Sequence, residues 1–401
     1  MSANDSLARR NAIVLAGAHA LAGANASVVI ATGALVGQVL APSQDWATLP
    51  ITTFVLGTAL ATLPAAAMMR GLGRRDSYRI GAGFGVVAGL LAAYAVREAW
   101  FTLFLLATAL CGAYQAFVVS YRFGATDNAS PAYRPRAISY VLLGGLASAI
   151  VGPQLVIHTK DLTPPITFFA SYLGQALFAG AALLLLGLTR FPAAAASDAG
   201  AAPARPLREI LAAPRLRVAI ACGAVSQALM NLIMTATPLA MVGCGLTATE
   251  ATLAIQWHII GMFAPGFFTG GLINRFGIYP VMLFGLALLA ACGVVALAGI
   301  SVEHFFAALI LLGLGWNFAF VGASALIAAD QRPAERTKVQ GVNDLIIFSV
   351  TAAASLSAGK ILAGFGWSAL NLTLFPFVLA AALLVLWLAR AERRPARDAA
   401  E

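Results

Sequence analysis

Runs of apolar residues about twenty long or longer follow one another from residue 11 to residue 388, with only polar turns and one longer polar segment between them. Wound as a helix, such a run is ~30 Å long, the thickness of a bilayer's hydrocarbon core. In that solvent a backbone must close its hydrogen bonds within its own helix, so the pattern predicts helices that span the membrane. Of the 401 residues, 60% are hydrophobic and 10% are charged. A soluble domain carries about a quarter charged residues. The chain therefore reads as an all-α polytopic membrane protein, and a soluble enzyme is excluded.

The turns predict twelve spans: 11–40, 47–69, a third ending near 96, 99–121, 137–157, a sixth ending near 190, 218–242, 249–273, a ninth ending near 300, 302–329, 339–363 and 367–388. The first follows Arg9-Arg10 and is too long for a signal-peptide core, so it is expected to stay as a helix. Segment 191–216, rich in Ala, Pro and Arg, is the longest polar stretch and divides the spans six and six. The expected organisation is a six-helix bundle at 1–190, a cytoplasmic linker at 191–216 and a second six-helix bundle at 217–401 with a basic cytoplasmic tail.

The net charge of +9 does not point to nucleic acid, because of where the charge lies. Of 25 Lys and Arg, all but Arg97, Lys160 and Lys360 fall in the termini, the linker or every second turn. That alternation places both termini in the cytoplasm, with the lipid bilayer as the chain's surroundings. Four cysteines without a C-x-x-C pair give neither a disulfide framework nor a zinc ribbon. No Walker A sequence, H-E-x-x-H or G-x-S-x-G occurs, so an ATP-driven pump and a hydrolase are not expected, nor is a prosthetic group. Gly81-x-Gly83-x-Gly85 follows no strand and reads as close helix packing.

The chemistry concentrates between Cys222 and Met262. Met230 and Met234 stand four apart on the seventh span, His258 and Met262 four apart on the eighth. That spacing puts each pair on one helix face. With a turn between about 242 and 249, Met234 and His258 lie ~12–14 Å deep, Met230 and Met262 ~18–20 Å. Thioether and imidazole donors at one level suit a soft metal, copper(I) first. Cys222 toward the inner face, with Met241 and Cys244 at the outer mouth, would complete a ladder of weak rungs for a moving ion. Methionine is also an ordinary filler of apolar helices, and a mid-bilayer histidine can relay protons or touch another substrate. Gln227, Asn231, Trp257, Tyr114 and Asn317 are further candidates for lining a cavity, with helix-to-helix hydrogen bonding as the alternative for the amides and Tyr114.

The two halves echo each other. Arg70-Gly-Leu-Gly-Arg-Arg follows the second span, and Gly-Gly-Leu-Ile-Asn-Arg-Phe-Gly, ending at Gly277, follows the eighth. Twelve spans with such a turn after the second of each half resemble the major facilitator superfamily, although the first turn lacks the family's Asp and the second has Asn274 in its place. The resemblance implies alternating access about a central site between two halves. More narrowly, the Met-x-x-x-Met and His-x-x-x-Met pairs resemble those of the CcoA-like (CalT) copper importers. That resemblance implies copper as the transported substrate, bound by Met230, Met234, His258 and Met262. It further implies assistance from Cys222 and Cys244, a cytoplasmic copper acceptor or chaperone as partner, and supply of copper to assembly of a cbb-type cytochrome oxidase. The same resemblance implies a bacterial inner membrane, and it implies a further cysteine in other members where this chain has Ser226. A related branch resembling riboflavin transporters shares the framework, so the alternative is a carrier of a small organic solute, with aromatic residues such as Trp316 and Phe263 lining its cavity. In either case a monomer is expected.

Overall fold

The computed structural model describes residues 3–127, 129–130, 133–191, 206–329 and 335–398, so most of the predicted linker lies outside the described residues. Every regular element among them is helical. In order these are α1 (Ala3–Leu40), α2 (Leu49–Gly71), α3 (Arg74–Arg97), α4 (Phe101–Val118), a one-turn α5 (Tyr121–Gly124), α6 (Arg134–Thr159) and α7 (Phe169–Leu186). A short α8 (Leu207–Ala212) precedes α9 (Pro214–Gly243), α10 (Ala248–Phe263), α11 (Gly266–Phe276), α12 (Ile278–Ala298), α13 (Val302–Ala329), α14 (Arg336–Leu372) and α15 (Leu374–Asp398).

Ten of the described helical segments are long and apolar enough to cross a membrane, and α10 with α11, bent by 42° at their junction, supplies an eleventh span. One of the ten, Val339–Glu392, holds two spans, because Gly366 breaks the helix with φ 78° and ψ −179°. Ten, plus the bent pair, plus the second span of that segment make the twelve expected. The bend was not expected. Pro265 lies at it: proline has no N–H to give the preceding turn, and its ring opposes the carbonyl four residues back.

The repeat seen in sequence is also a repeat of backbone geometry. Gly73 caps α3 with φ 80° and ψ 164°, and Gly277 caps α12 with φ 89° and ψ 163°. A side chain is strained at these angles, so glycine holds the same place in both turns. The carboxylate missing from the first turn is supplied from further along the chain. Arg74 pairs with Asp127, its Nη2 donating to Oδ1 at 3.1 Å, and Tyr78 beside it donates to the Ser120 carbonyl at 3.2 Å. These bonds fasten the start of α3 to the chain on either side of α5.

Contacts gather into two compact units, 1–196 with 235–260 and 197–234 with 261–401. In the first, α1 packs on α6 and α7, α2 on α4, and α3 on α4 and α7. Gly81 and Gly85 face Phe117 and Tyr114, whose ring atoms lie 2.6 and 2.5 Å from where a Cβ would stand, while Gly83 meets nothing. In the second, α12 packs on α13 and α15, and Glu392 accepts from the Tyr279 hydroxyl at 2.6 Å while pairing with Arg215. Gly85→Ala should cost about 1–3 kcal/mol through overpacking against Tyr114. Gly83→Ala should leave the thermal midpoint unchanged or slightly raised; equal loss in both variants, read by thermal unfolding in detergent, would contradict this packing.

Candidate functional site

Helix α9 is the most enclosed span: 78% of its most apolar stretch is buried, against 28–61% for the others. Every residue from 229 to 241 is buried. Met230, Met234, Met241 and Cys222 therefore lie inside the protein, as does His258 on α10, which is 0% exposed, and Met262 near its end. Met230, Met234 and Met262 fall in the second unit and His258 in the first. Cys244 is exposed in the turn after α9, whereas Cys222, Cys111 and Cys292 are buried. Among the described residues no group of three His, Cys, Asp or Glu side chains could hold a metal ion.

Half-buried groups of the second unit, with the exposed Phe263, form a different kind of arrangement. The Trp316 indole N–H donates to Gln227 Oε1 at 2.7 Å, joining α13 to α9. The Trp316 ring stacks on Phe320, centroids 5.0 Å apart and planes 14° apart, and Phe263 approaches edge-on at 6.5 Å. Gln227 and Trp316 each lie about 20 Å from both ends of their helices, that is, at mid-span. Asn231 follows one turn along α9 on the side of Gln227. An amide and three rings at this level can hold a flat, polar-edged organic molecule: ring faces stack, and the amide fixes its direction.

The other cavity candidates divide. Asn317 is buried and works as a strut: its Nδ2 donates to the Met262 carbonyl at 2.6 Å, and the Thr269 hydroxyl lies 2.7 Å from its Oδ1. It binds both sides of the α10–α11 bend. Tyr114 belongs to the core of the first unit, with Tyr78 and Tyr121. Trp257 is 46% exposed on α10. Two groups escaped sequence reasoning. Phe320 stands four residues after Trp316, a spacing that could have revealed the stack. Gln154 and Gln256 are amides within apolar runs, and they bond α6 to α10 inside the first unit at 2.9 Å.

Twelve membrane spans, with a polar and aromatic group half-way along them, define a polytopic carrier. The chain belongs to the Major Facilitator Superfamily. The superfamily's sequence profile matches residues 219–401. The riboflavin transporter RfnT of Brucella anthropi is 48% identical over 376 residues, covering 92% of this chain and 94% of the relative. The uncharacterised MFS-type transporter YdeG of Bacillus subtilis is 31% identical over 92% of this chain and 89% of its own length. Among solved structures, a D-xylose–proton symporter superposes with a TM-score of 0.73 at 14% identity, over 94% of this chain and 96% of that one. The nucleoside transporter NupG gives 0.72 at 14%, over 95% and 99%. At such identity these two speak for the fold alone.

The similarity to RfnT overturns the expected copper cargo, and with it the copper acceptor and the supply of a cbb-type oxidase. The physical reason for the misreading lies in α9. A spacing of four singles out a binding face only when the other faces differ from it, and this stretch is buried all round. Methionines placed anywhere along it would be buried together, so the spacing carried no metal-specific information.

Asn317→Leu should remove the strut at the bend and leave a carbonyl and a hydroxyl without it, costing about 1–3 kcal/mol. Thermal unfolding checks this; a midpoint equal to wild type would show that the bend holds itself.

Proposed function

We propose that this protein is a secondary carrier of a small planar organic solute of the flavin class, with riboflavin the first candidate. The observation that carries the reading is the 48% identity, along nearly the whole chain, to a protein named as a riboflavin transporter. The mid-span group of Gln227, Trp316, Phe320 and Phe263 supports it, since a tricyclic ring offers faces to stack and an edge of polar atoms. The named relatives are transporters, which favours a carrier over an enzyme.

In this reading, two six-helix halves, 1–190 and 217–401, alternate access to a central site. Direction then follows the gradients, because such a cycle is reversible. The basic turns and both termini face the cytoplasm, on the distribution of Lys and Arg, and the bacterial relatives support a bacterial inner membrane.

Riboflavin should raise the thermal midpoint of the purified protein in a concentration-dependent way, as a ligand of the native state alone must. A sugar such as xylose should not. No shift in riboflavin-saturated buffer would count against the flavin class. Orientation is checked at Cys244, the exposed cysteine: an impermeant maleimide added to spheroplasts should label it from outside. Labelling only after the cells are broken would reverse the assigned topology.

A further inference from the structure

The orientation of one amide can be deduced without ambiguity. Trp316 Nε1 carries a hydrogen and accepts nothing, so the Gln227 atom 2.7 Å away must be the carbonyl oxygen. The Gln227 NH2 group is thereby committed to the opposite side, where it can only donate. No other hydrogen bond of Gln227 is formed among the described residues, and the side chain is half-buried at mid-span. A donor left facing hydrocarbon at that depth is costly, which places its open side toward an aqueous cavity or its contents.

We propose that Gln227, held by Trp316, is the specificity-determining residue of the carrier. Its NH2 reads a hydrogen-bond acceptor, a ring nitrogen or ring carbonyl, on the edge of a planar heterocycle stacked beside Trp316, Phe320 and Phe263. This deepens the flavin reading and rests on it. Stacking alone accepts any flat ring, because every ring has a face. A fixed donor rejects flat molecules whose edge is apolar or carries only donors, since the buried N–H would stay unpaired. Trp316 is then a positioning residue as well as a stacking surface: without its N–H the amide is free to turn and present its oxygen.

The test is the binding of riboflavin and of lumiflavin, which keeps the ring and all its acceptors and carries a methyl group in place of the sugar-like chain, followed by quenching of their own fluorescence. Gln227→Glu keeps an acceptor for Trp316 and removes the donor; Gln227→Leu removes both and suits an apolar span. Each variant should weaken both ligands at least ~10-fold. The thermal midpoint of the unliganded protein confirms that each is folded, and Gln227→Leu decides should the acidic variant fail to fold. Trp316→Phe, which keeps a ring and releases the amide, should weaken both ligands by a smaller factor. Wild type that binds riboflavin while both Gln227 variants bind it within two-fold would overturn the inference and leave the flavin reading standing. Loss for riboflavin with unchanged lumiflavin would also overturn it, by placing the amide on the chain. Wild type that binds neither ligand would overturn the flavin reading and this inference together.

Discussion

A peptide group inside a hydrocarbon layer has no water to turn to, and each N–H or C=O left open there costs several kcal/mol. That constraint makes every span of this protein a helix, and it also makes every interruption of a helix an event that side chains must repair. The bend between α10 and α11 shows the repair directly. Pro265 cannot continue the ladder, and Asn317 reaches across from α13 to bond the Met262 carbonyl. The same helix α13 presents Trp316, the residue just before Asn317, to Gln227. One stretch of α13 therefore both fixes the bend and builds the polar group at mid-span.

Much of the fold was legible in sequence because the bilayer sets the length of its elements. Span 302–329 coincides with α13, and the break at Gly366 falls between the two spans expected at 339–363 and 367–388. The paired glycine turns were visible as letters, and their matching angles at Gly73 and Gly277 give the resemblance a structural cause. What escaped was local. The bend at Pro265 was overlooked because apolar residues continue on either side of it. The partner of Arg74 could not be read either, since Asp127 lies 53 residues away and meets it only through the packing of α3 and α4.

The site was less legible than the fold, for a reason that belongs to membrane proteins. In a soluble helix, a hydrophobic face and a polar face tell the reader where to look. In α9 the whole circumference is buried from 229 to 241, so two methionines at helical spacing there looked like part of a chosen ligand set. The amides carried the better signal. A Gln in an apolar span needs a partner, and identifying that partner as Trp316 turns a plain polar residue into a directed donor.

The account stands most directly on transport itself. Proteoliposomes holding the purified chain and loaded with unlabelled riboflavin should take up labelled riboflavin from outside by exchange, well above protein-free vesicles, and an excess of lumiflavin outside should compete. Uptake no greater than that of protein-free vesicles, with protein shown to be folded and inserted, would contradict the central claim.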